Sequence, residues 1–171
     1  GASRGIGAAV AARLAGEGYQ VAINYLNSRQ PAEALAASLG PGVAMAVRAD
    51  VADRGQVEEM FEAVRQRLGE VSVLVNNAGF AQQKLFSDIT EEEWDRLFAV
   101  HVKGAFHCCQ MALPGMLRRK AGSIINISSI WGQTGGSCEV GYSAAKAALI
   151  GLTKGLAKEL GPSGIRVNCI A

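Results

Sequence analysis

Five short apolar runs alternate with longer stretches of helical pattern along this 171-residue chain, and that alternation constrains the fold more than any other feature. The runs are residues 20–25 (QVAINY), 43–48 (VAMAVR), 71–75 (VSVLV), 123–127 (SIINI) and 165–169 (IRVNC). They are nearly continuous in apolar residues, as strands buried on both faces are. Helical patterns fill the intervals at 5–17, 29–39, 54–68, 91–119 and 141–160. Such an alternation folds as an α/β domain, a doubly wound parallel sheet with helices on both faces. Ligands in such folds bind beyond the carboxyl ends of the strands. Residues 1–171 read as a single domain, with no internal repeat and no linker.

Local signals sharpen the boundaries. Asp53 with Gln56 reads as a helix cap, and Thr90 with Glu93 as a capping box ahead of WDRLFAV. Pro114 predicts a bend or local break within the long 91–119 helix. Glycine makes up 21 of the residues, which suits many tight strand–helix turns. The net charge of +2 gives no strong pull toward nucleic acid or an anionic membrane. No apolar run approaches the ~18 residues of a membrane-spanning helix. Cys108, Cys109, Cys138 and Cys169 form no C-x-x-C pair and only two histidines accompany them, which argues against a zinc site. Free, packed cysteines and no targeting segment point to the cytoplasm.

Three segments carry chemistry. The chain opens GASRGIG, then continues in the alanine-rich AAVAARLAGEG. Glycines there let backbone approach a ligand closely, and the free N–H groups of a following helix attract an anion such as a pyrophosphate. Glycine-rich helix starts also arise from packing alone. Farther on, Tyr142 and Lys146 stand four residues apart in GYSAAKAALIGLTK, on one helix face. A cation beside a phenol favours its ionised form, which suits a general acid/base. Alone, the pair could equally be an exposed aromatic beside a solvated charge. Ser129 lies thirteen residues before Tyr142, at the end of SIINISS.

The order and spacing of G-x-x-x-G-x-G at 1–7, NNAG at 76–79, Ser129 and Y-x-x-x-K at 142–146 resemble the short-chain dehydrogenase/reductase family along essentially the whole chain. VAINY, VLVNNAG, IINISSI and AAKAALIGLTK are similar to its 3-oxoacyl-(acyl carrier protein) reductase branch. The resemblance implies a Rossmann-like fold and a nicotinamide cofactor. Carried over residue by residue, it places Gly1, Ser3, Arg4, Gly5, Ile6 and Gly7 at the cofactor phosphates and Asp50-Val51 at the adenine. Asn76, Ala78 and Gly79 then line the cofactor. Lys146 grips the nicotinamide ribose, Tyr142 exchanges the proton and Ser129 holds the substrate oxygen. Neighbouring Ser128 is the other hydroxyl in range, with a structural role expected.

Cofactor preference follows from charge. NAD-preferring relatives carry an acid at the end of the second strand, where this chain has Asn24-Tyr25. With Arg4 in the glycine loop and Arg29 after the strand, a 2′-phosphate fits better, so NADP(H) is expected over NAD(H). One position departs from the family: His101, in HVKG, stands where relatives have Asn. An imidazole there could preserve a proton relay to Lys146 or give it a pH dependence; the other reading is packing.

The resemblance also implies a first strand before residue 1 and a substrate-covering segment after residue 171. The sequence therefore reads as partial, and the 171 residues alone are expected not to form a stable, active fold. A homotetramer packed through 91–119 and 141–160 is expected. The basic run Arg118-Arg119-Lys120 could touch an acidic acyl carrier protein or simply be a solvated helix end. The substrate is a carbonyl compound, with a 3-oxoacyl thioester first; a sugar, steroid or small alcohol, or a non-catalytic nucleotide sensor, are the other readings.

Overall fold

The computed structural model describes residues 1–171, which divide into two compact units, Gly1–Glu70 and Val71–Ala171. The fold is α/β, and every strand pair is parallel.

The first unit runs α1 (Gly5–Gly16), β1 (Val21–Tyr25), α2 (Arg29–Leu39), β2 (Ala44–Arg48) and α3 (Arg54–Leu68). β1 pairs with β2 in a register that sets Val21 opposite Ala44 and Tyr25 opposite Arg48. Ala11, Val21, Ile23, Tyr25 and Ala32 are buried together, and Leu14, Leu35 and Leu39 pack against them. Ala2, Ala15, Ala36, Ala44 and Ala46 pack there too, and these small side chains let helix and sheet backbones approach closely. Asp53 caps α3, its carboxylate accepting the Gln56 N–H at 3.0 Å, as its spacing predicts.

The second unit contains β3 (Val73–Asn76), α4 (Glu91–Phe98), α5 (Gly104–Arg119), β4 (Gly122–Ile127), the short α6 (Trp131–Thr134), α7 (Val140–Leu160) and β5 (Ile165–Ile170). Its sheet has the order β3-β4-β5. Leu97, Met116, Ile124, Leu149 and Ile165 are among its fully buried side chains. The capping box of α4 is complete: Thr90 and Glu93 each accept the other's backbone N–H, at 3.2 and 2.9 Å. Glu93 also takes the Lys84 ammonium at 2.8 Å.

The long 91–119 segment breaks elsewhere than expected. A π-helical turn, Ala99–Lys103, separates α4 from α5, while α5 carries Pro114 in its interior. A π turn admits one extra residue into the helix and swings the following side chains around the axis, a device frequent at functional sites. The displaced turn here carries His101.

Candidate functional site

In the first unit, Gly1, Ser3 and Arg4 form the turn ahead of α1, and Gly5, Ile6 and Gly7 form its opening turn. Gly5 has φ +55°, a left-handed conformation that side-chain-bearing residues resist. Arg4 is the N-cap residue and provides no side-chain cap, so the first N–H groups of α1 have no acceptor from it. Both features fit the cradle expected for a pyrophosphate. Asn24 is tied down, its amide donating to the Ala49 carbonyl at 3.0 Å. Of the two expected cations, Arg29 pairs with Glu33 at 2.8 Å and Arg4 makes no salt bridge. Asp50 shapes the turn between β2 and α3: its Oδ1 accepts the Ala52 N–H at 3.0 Å, and its own N–H donates to Gln56 at 2.9 Å. Val51 is buried beside it.

In the second unit, three elements converge. β3 ends at Asn76, with Ala78 and Gly79 in the loop beyond. β4 ends at Ile127 and delivers Ser128 and Ser129. α7 presents Tyr142 in its first turn and Lys146 in its second.

Lys146 is 4% exposed, and its ammonium donates to the Ile127 carbonyl at 2.7 Å. The same nitrogen lies 5.4 Å from the Tyr142 ring centroid, placing the cation over the aromatic face. Burial pulls the Lys146 pKa down to about 8, a nearby Cys169 opposing slightly. Ser128 Oγ donates to the Lys146 carbonyl at 2.7 Å, clamping the end of β4 to α7. Ser129 is turned differently: its Oγ accepts the Trp131 N–H at 3.2 Å, which leaves its own hydrogen for another acceptor. The two hydroxyls thus divide into a structural clamp and an available donor.

The turn after Ser129 fits tightly on α7. A Cβ on Gly132 would lie 2.8 Å from the Lys146 carbonyl carbon and from Ser128 Oγ. His101 is 3% exposed, and its Nε2 stands 3.1 Å from the Phe80 nitrogen and 2.9 Å from the Phe80 oxygen. Its ring meets Tyr142 at 5.6 Å between centroids with the planes perpendicular. Burial, reinforced by the Lys146 charge, brings the His101 pKa down to about 4; the bond to Phe80 opposes this.

Sequence reasoning did not find the buried amide chain that holds these elements in place. Asn76 Nδ2 donates to Asn126 Oδ1 at 2.8 Å, Asn126 Nδ2 to Thr153 Oγ1 at 2.8 Å, and Thr153 Oγ1 to the Leu149 carbonyl at 2.7 Å. An asparagine inside the apolar run SIINI is the signal that could have shown it, since a buried amide needs partners. Cys108 and Cys109 are packing residues: burial pushes their thiols up to about 12 and about 11, away from nucleophilic character.

No helix is long and apolar enough to cross a membrane. The chain is similar to known proteins along its whole length. The family model for short chain dehydrogenases matches residues 1–171. The 3-oxoacyl-[acyl-carrier-protein] reductase FabG of Staphylococcus aureus is 46% identical over 173 residues, covering all of this chain and 70% of that protein. The 3-oxoacyl-[acyl-carrier-protein] reductase of Synechocystis sp. is 40% identical over 173 residues, with the same coverage. A crystal structure of a short-chain dehydrogenase from Streptomyces avermitilis superposes with a TM-score of 0.93 at 39% identity. It covers 99% of this chain, which spans 61% of that one.

Proposed function

The chain belongs to the short-chain dehydrogenase family of NAD(P)-dependent oxidoreductases acting on CH–OH and C=O groups, and we propose that it reduces a 3-oxoacyl thioester with NADPH. The observation that carries the chemistry is the buried Lys146 ammonium over the Tyr142 ring, with the Ser129 hydroxyl at the end of the adjoining strand. The substrate class rests on the relatives named as 3-oxoacyl-[acyl-carrier-protein] reductases. The NADP preference rests on Arg4 and on the absence of a carboxylate after β1.

In this reading the nicotinamide, when bound, supplies the hydride to the carbonyl carbon. Ser129 donates a hydrogen bond to the carbonyl oxygen and fixes its direction. Tyr142 gives its phenolic proton to that oxygen as charge develops there, and the Lys146 cation stabilises the phenolate left behind. Lys146 also holds the ribose hydroxyls. Oxidation of the alcohol returns the proton to Tyr142. Gly5 and the N-terminus of α1 take the pyrophosphate, Asp50 and Val51 the adenine, and Asn76, Ala78 and Gly79 line the cofactor. We further propose one functional domain over 1–171, a cytoplasmic homotetramer and docking of an acidic acyl carrier protein. The exposed Phe106 and Leu117 on α5 support subunit packing.

Oxidation of NADPH with acetoacetyl thioester, beside plain ketones and sugars, tests the proposal. Thioester turnover well above the others supports it, and activity confined to the others replaces the substrate class. Tight NADPH binding without turnover favours a nucleotide sensor. Tyr142→Phe abolishes turnover while cofactor affinity stays; retained turnover removes Tyr142 from its role.

A further inference from the structure

His101 is a buried titratable group that the reaction above leaves unused, and the one whose ring stands against Tyr142. Its single Nε2 faces both the N–H and the C=O of Phe80, at 3.1 and 2.9 Å. One nitrogen serves only one of them at a time. With the proton on Nδ1, Nε2 accepts from the Phe80 N–H. With the proton on Nε2, it donates to the Phe80 carbonyl. Nδ1 is buried and has no hydrogen-bond partner in the protein in either form.

Three contacts fix the ring. The π turn Ala99–Lys103 carries it inward. A Cβ on Gly79 would collide with its Cε1, so the NNAG loop and the imidazole fill one space between them. The Tyr142 ring stands perpendicular against it. A relay needs an imidazole that takes a proton at one nitrogen and releases it at the other. Nε2 faces a peptide unit, and neither its N–H nor its C=O hands a proton onward. The charged neighbour is Lys146, from α7, and it opposes a second positive charge on the ring.

We propose that His101 is a positioning residue: it pins the Gly79–Phe80 turn and backs the Tyr142 ring, and it carries no proton in the reaction. This rests on the reading of Tyr142 as the proton donor. It answers the question raised by the departure from Asn. A carboxamide has a donor and an acceptor and can satisfy both Phe80 groups, whereas the imidazole satisfies one and contributes bulk against Tyr142 instead.

The test combines labelled-histidine NMR with two variants. His101→Asn identifies the His101 signals by their loss. In the native protein those signals stay those of an uncharged ring as the pH falls through 6.5, the ordinary value. A titration midpoint at or above that value overturns the proposal. In kinetics, His101→Asn keeps the shape of the native pH–kcat profile. His101→Leu, which fills space without a hydrogen bond, lowers kcat about tenfold, the scale of one lost hydrogen bond, and also keeps the shape. An ionisation present in the native profile and missing from His101→Asn overturns the proposal. If His101→Leu does not fold, His101→Asn and the NMR still decide. If the protein reduces no carbonyl, the functional reading fails while the NMR result stands by itself.

Discussion

Replacing Gly132 by Ala probes whether the spacing between the Ser129 turn and α7 is what makes the site work. The added Cβ would sit 2.8 Å from the Lys146 carbonyl carbon, 2.8 Å from Ser128 Oγ and 3.0 Å from the Ala147 nitrogen. Two of those three atoms are helix backbone and cannot rotate away. Ordinary contact begins at 3.4 Å, so the turn and the helix must part by about 0.6 Å, roughly the strain of an overpacked core methyl. That separation stretches the Ser128–Lys146 clamp as well. Overpacking of this kind costs about 1–3 kcal/mol. At roughly 3 °C per kcal/mol for a chain of this size, Tm falls by about 3–9 °C. The effect on catalysis is larger than the effect on stability implies. Moving a reacting group by ~1 Å costs on the order of a hundredfold, so a shift of this size lowers kcat at least about tenfold. With the cofactor phosphates held by the glycine loop, as proposed, cofactor affinity stays near its native value. Scanning calorimetry, cofactor titration and steady-state kcat on the Gly132→Ala protein measure all three quantities. A variant with native Tm and kcat within about twofold refutes the tight-fit reasoning.

Further outcomes follow from other contacts. Ser128→Ala removes the clamp to Lys146 and lowers stability by about 1 kcal/mol, read as a lower urea midpoint at unchanged m; an unchanged midpoint contradicts the clamp. Because His101 falls from 6.5 in the unfolded chain to about 4 when folded, the unfolded state holds the extra proton between those values. Native stability therefore declines as the pH drops from 6.5 toward 4, and His101→Asn flattens that part of the decline; parallel curves would count against the burial argument. Arg4→Ala lowers kcat/KM for NADPH roughly ten- to a hundredfold and leaves NADH unaffected, the scale of a lost charge-assisted bond. Equal losses with both cofactors remove Arg4 from the 2′-phosphate.

Much of this was legible in the sequence because apolar runs and caps act locally. The strands at 21–25, 44–48 and 165–170 fall within a residue of their apolar runs, and both predicted helix caps form. β3 begins at Val73 rather than residue 71, a boundary that hydrogen bonding to β4 decides and hydropathy does not. The π turn left no mark in AVHVK, since an extra residue in a helix changes no side-chain pattern visible at this length. Arg29 shows a missed signal of another sort. Glu33 stands four residues on, a spacing that favours the ion pair the structure forms. Ser128 and Ser129 illustrate a limit of spacing: adjacent hydroxyls differ only in which neighbour each finds, Lys146 for one and Trp131 for the other.

The amide chain from Asn76 through Asn126 to Thr153 has a consequence for how the second unit assembles. Asn76 and Asn126 lie directly opposite each other in the parallel ladder. Apolar strands such as VLVN and SIINI could slide past one another by two residues and still bury the same kinds of side chain. Only the native alignment pairs the two amides, and a slipped one would strand both away from water. A single polar contact therefore acts as a proofreading mark for strand alignment, one that a misthreaded sheet loses.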